Sequence, residues 1–369
     1  MSKQRIVLVL QGGGALGAYQ AGVFQSLHEA GFEPDWVIGT SIGAINASLI
    51  AGNRREERML RLQEFWRRMT HEGLAAAFGQ IPGVGPALAN WATVMSGLPR
   101  FFAPNPFAFL GPTWPLGPDS ACYYSTAPLR STLTELVDFG RINAKEVRLT
   151  VGAANVGTGM MHYFDSREVT FSVDHVMASG ALPPAFPAVR IDGQLYWDGG
   201  ILSNTPVEAV FDDNPRRDAL VFVVHVWNPT GPEPGTIGEV MTRHKDVQYA
   251  SRAHSHIMRQ KQLHKLRHVI NELARNLPAE ARRNNQVAEL CSYGCPTRMH
   301  IVRLLAPMIG TEDHTKDIDF SERGIRARWQ AGYAHTMRVL ERAPWLDEVD
   351  PLEGFILHEA ESGAVVSTS

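Results

Sequence analysis

The sequence predicts an α/β sandwich on a mostly parallel sheet, followed by a mainly helical C-terminal extension. Three observations carry this. Short apolar runs bounded by glycine alternate with segments of helical periodicity along the first two hundred residues. The first two apolar runs each end in a Gly-rich turn that opens a helix, as parallel strands joined by crossovers do. Beyond about residue 230, charged helical segments dominate and apolar runs become sparse.

With 369 residues, 44% hydrophobic and 20% charged, the chain has enough apolar material for one large domain plus an extension. A net charge of -3 gives no nucleic-acid footprint. Residues 1–5 run straight into a strand without an apolar leader, and no window holds 18 uninterrupted apolar residues, so the expected location is the cytoplasm. Cys122, Cys291 and Cys295 fit a reducing compartment; the Cys291, Cys295 pair has no second pair at zinc spacing and reads as unligated thiols.

The first strand, residues 6–10, is wholly apolar and ends in Gln11-Gly12-Gly13-Gly14-Ala15-Leu16-Gly17 before a helix over 18–30. Gly12, Gly14 and Gly17 match a dinucleotide-binding fingerprint, which would make the chain an oxidoreductase. The nearby acid, Asp35, precedes the second strand, whereas a ribose-binding carboxylate belongs at its far end. The other use of the loop is an oxyanion hole. The amides of Gly12, Gly13 and Gly14 converge on a tetrahedral intermediate, and the lack of side chains lets the loop approach the reacting carbon.

The second strand, Trp36 to Ile38, leads into Gly39-Thr40-Ser41-Ile42-Gly43 and a helix over 44–51. Strand, tight turn and helix with serine at the corner make Gly39-x-Ser41-x-Gly43 a nucleophile-elbow candidate, with the first amides of the helix pointing at the same spot. A plain Gly-rich turn with a serine N-cap is the alternative. If the two strands are parallel, both glycine turns stand at one sheet edge.

Residues 54–70 form an amphipathic charged helix. Residues 73–124 are rich in Gly, Pro and aromatics, with Phe101, Phe102, Phe107, Phe109 and Trp114 in a stretch almost free of charge. This reads as a lid-like insertion facing a membrane or lipid aggregate, or else as a packed loop. A helix over 128–139 and a strand over 147–156 follow, then a hairpin of 160–164 against 169–171. After a proline-broken helix over 176–187 comes a second hairpin turning at Asp192-Gly193, which ends in Asp198-Gly199-Gly200. Strands over 220–227 and 299–305, helices over 237–274, 279–290 and 320–342, and a loose tail over 351–369 complete the reading.

A serine nucleophile needs a proton acceptor. A triad would use a late histidine, His225 in a strand or His314 in a polar loop. His264 and His268 stand at metal-ligand spacing, but no carboxylate motif accompanies them, and a solvated basic helix face is expected there. The remaining option pairs Ser41 directly with Asp198, whose bland reading is a cap on the Gly199-Gly200 turn.

Gly12 to Gly17, Gly39 to Gly43, and Asp198-Gly199-Gly200, in that order and spacing, resemble the patatin-like phospholipases, as does Ala-Ser-x-Ala-x-Pro-x-x-Phe-Pro over 178–187. The likeness covers about residues 5–212, with 213–350 as an α/β extension that completes the sheet and adds helices. It implies a three-layer α/β/α sandwich and a lipid acyl hydrolase without metal or organic cofactor. Its Ser-Asp dyad would be Ser41 and Asp198, its oxyanion hole the amides of Gly12, Gly13 and Gly14, with Gly17, Gly39, Gly43, Gly199 and Gly200 as supporting motif positions. Many members carry a basic residue where Leu16 stands. The expected partner is a lipid ester and not nucleic acid. The rivals are the dinucleotide oxidoreductase and a non-catalytic lipid-binding regulator on the same fold.

Overall fold

A computed structural model of the chain describes residues 4–70, 93–309, 312–350 and 353–360. Its centre is a nine-stranded sheet, ordered β11-β10-β9-β1-β2-β5-β8-β7, with β6 also paired to β5. The strands are β1 (Arg5–Leu10), β2 (Trp36–Thr40), β5 (Arg148–Asn155), β6 (Met161–Asp165), β7 (Val189–Ile191), β8 (Gln194–Asp198), β9 (Ala219–His225), β10 (Met299–Leu305) and β11 (Phe355–Glu359). From β11 to β5 every pairing is parallel; the pairings of β5 with β6, β5 with β8, and β8 with β7 are antiparallel. A separate two-stranded ribbon joins β3 (Ala103–Pro104) to β4 (Tyr124–Ser125).

The continuous apolar runs follow from this placement, because a strand covered on both faces has no solvent side to alternate toward. Leu8, Leu10, Val37, Phe222, Val224 and Val302 enter one core; Val7, Val9, Ile38, Val221, Val223 and Ile301, their strand neighbours, enter a second on the opposite face. The first core lies under α1 (Ala18–Glu29), α2 (Ile42–Ala51), α3 (Arg58–Arg68) and the helix Glu322–Arg342. The helix Glu322–Arg342 lies so close to α1 that a Cβ on Gly22 would overlap the Trp329 carbonyl and one on Gly332 the Tyr19 carbonyl. The second core is closed by the short helix Glu208–Phe211 and by Ile257 of the helix Ile237–Asn276.

Three expectations need correcting. Residues 169–171 form no strand; β6 pairs with β5 instead, because the turn after it is anchored there. Asp165 takes hydrogen bonds from Arg148 and Thr150, and Ser166 takes one from the Leu149 amide. The tail, expected to be loose, supplies β11, whose Phe355 is buried against β10's flank of the second core. His264 and His268 face inward, each 4% exposed, and are not on a solvated surface. The His264 Nε2 lies 2.8 Å from the Thr297 carbonyl, and both rings pack near Gly354. Among the described residues no group of three or more His, Cys, Asp or Glu gathers as a metal site.

Candidate active site

The sheet register brings the sequence-predicted site residues together. Leu10 is in register with Gly39, so the loops after β1 and β2 leave the sheet side by side. Thr40 is in register with Gly152, and Asp198 with Ala153, so β5 separates the Ser41 turn from Asp198 by its own width. The aspartate's arrival on an antiparallel strand is why it meets the serine from the opposite chain direction.

Ser41 has φ 56°, a left-handed conformation that a non-glycine residue adopts only when its surroundings hold it there. Both flanking glycines are required by close approach. A Cβ at Gly39 would overlap the backbone of Gly43, and one at Gly43 the carbonyl of Leu10. The Ser41 amide donates to the carbonyl and the Oγ of Ser179, each at 3.1 Å, and the Ser179 hydroxyl donates onward to the Gly152 carbonyl at 2.6 Å. Two residues later, the Ala181 carbonyl accepts the Asp198 amide at 2.9 Å. The segment 179–181 thus sets the spacing between serine and aspartate, a role its motif did not announce.

Asp198 is 3% exposed. The Gly200 amide donates to its carboxylate at 2.7 Å, and Ser41 lines the same cleft. Burial pushes its pKa from 3.8 up to about 6, and the neighbouring Ser41 hydroxyl and Gly200 amide oppose the rise without cancelling it. Gly199 and Gly200 are close-packed against the Gly152 carbonyl and the Asn204 side chain, respectively. Gly17 lies against Ile42.

The glycine loop differs from the expectation at one position. The Gly12 amide donates to the Asn204 carbonyl at 3.1 Å, so it is not free to face an oxyanion. Among the described residues the amides of Gly13 and Gly14 have no such acceptor. The loop is held through its carbonyl groups and flanks: the Gly12 carbonyl accepts from Asn204 Nδ2 at 3.1 Å and Trp227 Nε1 at 2.8 Å, and the Ala15 amide donates to the Asp317 carbonyl at 2.8 Å. Gln11, fully buried, donates to Thr205 Oγ1 and the Tyr249 carbonyl while its Oε1 accepts from the Val226 and Trp227 amides. Gln11, Asn204, Trp227, Tyr249 and Asp317 escaped the sequence reading. Only Gln11, a polar residue closing an apolar strand, left a signal there.

Ser41, Asp198, Gly13 and Gly14 open into a cleft of about 1060 Å³, counting the part open to solvent. Its walls are aromatic and aliphatic, including Ile45, Phe101, Phe102, Leu129, Phe186 and Phe320. Phe101 and Phe102 are therefore buried wall residues in contact with Phe186 and do not face a membrane as expected. Phe107 and Trp114 are exposed at 62% and 56%. Residues 71–92 and the Phe109 side chain lie outside those described, and the lid expectation for them lies there too.

No described histidine lines the cleft. His225 is 1% exposed at the end of β9, with its pKa pushed down to about 3 by burial, and its Nε2 has no partner among the described residues. His314 offers its carbonyl to Lys245 at 2.7 Å. Asp35 caps the start of β1 through the Ile6 amide, at the sheet edge away from the glycine loop, where it cannot serve a bound ribose.

A family model described as patatin-like phospholipase matches residues 8–211, and another described as patatin phospholipase matches residues 247–352. A triacylglycerol lipase of Schizosaccharomyces pombe is 45% identical over 58 residues, 16% of this chain and 12% of its own length. A cGAMP-activated phospholipase of Pseudomonas aeruginosa is 31% identical over 120 residues, 29% of this chain and 36% of its own. The chain thus spans well under half the length of these relatives. Among solved structures, VipD from Legionella pneumophila aligns over 92% of this chain and 67% of its own, with 18% identity and a TM-score of 0.41. No helix among the described residues is long and apolar enough to cross a membrane.

Proposed function

The chain belongs to the patatin-like phospholipase family, and from that premise we propose that it is a serine acyl hydrolase of lipid esters working through a Ser41-Asp198 dyad. The observation that carries the reading is that Ser41 and a buried aspartate line the same cleft, which no described histidine lines. Ser41 attacks the ester carbonyl as its proton passes to Asp198. The oxyanion is met by the amides of Gly13 and Gly14, with Gly12 acting as the fixed anchor of the loop. Asp198 then returns the proton to the leaving alcohol, and water, activated by the same carboxylate, releases the acyl group from Ser41.

The raised pKa of Asp198 suits both halves of this cycle. A carboxylate at its ordinary value is a feeble base toward a hydroxyl and a poor proton reservoir for a leaving alkoxide, whereas one near 6 is closer to matched at neutral pH. The apolar walls supply the acyl subsite, and burial of each chain methylene there contributes about 0.8 kcal/mol to binding. A fluorophosphonate probe tests the proposal, because it labels only an activated serine. Labelling of the wild type that vanishes in Ser41→Ala is expected. An unlabelled wild type, or a Ser41→Ala variant retaining more than roughly one per cent of ester turnover, would sink it.

A further inference from the structure

The helix Ile237–Asn276 has two working faces. One carries Tyr249, Ile257, His264 and His268 onto the protein. The other carries a second apolar stripe that nothing in the described structure covers. Ile237, Val240, Val247, Leu266, Val269 and Leu273 are exposed by 37% to 83%, and Met258, 39% exposed, fills the gap between Val247 and Leu266. Their separations are three, seven, eleven, eight, three and four positions, all of which return to the same side of an α-helix. The stripe therefore runs the full 40-residue helix, about 60 Å.

Charge selects the occupant. The helix holds eight Lys and Arg against three Asp and Glu, in a chain whose net charge is -3. Arg259 and Lys265 stand exposed beside the stripe, while Glu239 caps the helix start and Glu272 pairs with Arg275. Two copies meeting through this face would juxtapose like charges. An apolar stripe rimmed by basic groups is the composition of a helix that lies in the plane of an anionic lipid surface.

The face also leads to the site. Gln248, exposed beside Val247, and His256 line a cleft of about 1100 Å³ whose apolar rim includes Trp197 and Ile201, 36% and 42% exposed. That cleft shares Leu182, Gly200, Asn204 and Tyr249 with the cleft holding Ser41. We propose that the exposed face of the helix Ile237–Asn276 is the docking surface for an anionic lipid bilayer, seating the protein with its second cleft toward the lipid. The direction of entry rests on the lipid-hydrolase reading; the docking itself does not.

The test measures binding of the full-length Ser41→Ala protein to phosphatidylcholine vesicles with and without 30% phosphatidylglycerol, so that vesicles stay intact whatever the catalytic activity. Binding is expected to rise at least tenfold with the anionic lipid and to weaken with salt. Leu266→Ser with Leu273→Ser, and separately Arg259→Glu with Lys265→Glu, should each remove at least tenfold of it. In a Ser41 background these pairs should leave the melting temperature and soluble-ester turnover unchanged. Equal binding to both vesicle types, or variants that bind as wild type, would overturn the proposal. So would a dimer in sedimentation velocity that becomes monomer in the leucine variant, which would assign the stripe to a second copy. Loss of ester turnover in Ser41→Ala with vesicle binding absent would leave the hydrolase standing and remove only the docking surface.

Discussion

The two glycine turns at the head of the sheet are built on opposite plans. The turn around Ser41 is fixed by its own strand-to-helix unit, by β1 and by Ser179: Gly39 against Gly43, Gly43 against the Leu10 carbonyl of β1, and one bifurcated amide bond. The turn at Gly12 to Gly14 is held almost wholly by distant chain. Asn204, Trp227, Tyr249 and Asp317 lie between 192 and about 300 positions away and all bear on Gln11, Gly12 or Ala15. The nucleophile turn thus rests on the first two strand-to-helix units and Ser179, whereas the amides proposed to stabilise its intermediate depend on chain far downstream. Lys245, which pairs with Asp317, and Lys316, which pairs with Asp246 beneath the Trp227 ring, brace that second arrangement.

The largest effect expected from this contrast comes from the local turn. Ser41→Ala should lower kcat for a soluble ester by at least about 10⁴, Asp198→Asn by about 10² to 10⁴, and the double variant should be scarcely slower than the worse single one, since the two act as a unit. Additive losses in the double variant would show two independent contributions. The distant support comes next. Asn204→Ala removes the side-chain donor to the Gly12 carbonyl and should cost kcat about 10² while fluorophosphonate labelling persists, because the nucleophile is built separately. Equal loss of labelling and turnover would show that the two turns are not separable. Lys245→Met, one step further out in a partly exposed pair, should change kcat by a few-fold at most.

Two smaller measurements sharpen the picture. Phe102→Ala, in the cleft wall, should shift chain-length preference toward longer or bulkier acyl esters, whereas Phe107→Ala, 62% exposed, should leave that preference alone. A profile in which Phe107 governs chain length would misplace the acyl subsite. The pH dependence follows from Asp198. As a base it acts only when ionised, so kcat/KM should fall below about pH 6, and no second limb from a histidine should appear on that side. Stability moves the other way. A carboxyl whose folded pKa exceeds its unfolded value favours folding fully below about pH 4 and loses that contribution as pH rises through about 6. At pH 8, Asp198→Asn should therefore raise the melting temperature, the ionised acid costing about 3 kcal/mol on the size of the shift. A lower melting temperature would mean that Asp198 is held mainly as a structural cap.

What the sequence disclosed follows the same division. The glycines around Ser41 and after Asp198 are legible because close approach dictates residue type at each: only glycine fits where backbone touches backbone. The parallel strands were legible from unbroken apolar runs. Asn204, Trp227 and Asp317 were not, since an amide or an indole that supports a loop from across the fold obeys no spacing rule. The aromatic stretch failed differently. Phe102 and Phe107 are five residues apart in the same composition, yet one closes a cleft wall and the other faces water, and only tertiary packing distinguishes them. His264 and His268 misled because a basic helix looks solvated even when one of its faces is packed.

The position of β1 in the sheet carries a further consequence. Its backbone is paired on one side by β2, from Val7 to Leu10, and on the other by β9, along all six residues from Arg5 to Leu10. A polypeptide cut after residue 212 would keep every proposed catalytic group and yet leave that flank bare, an unsatisfied apolar ribbon of the sort that recruits other chains. The stretch carrying the family motifs is therefore not a portable cassette. Grafting it elsewhere, or trimming the chain toward a minimal enzyme, would need a replacement for β9 before any question of chemistry arose.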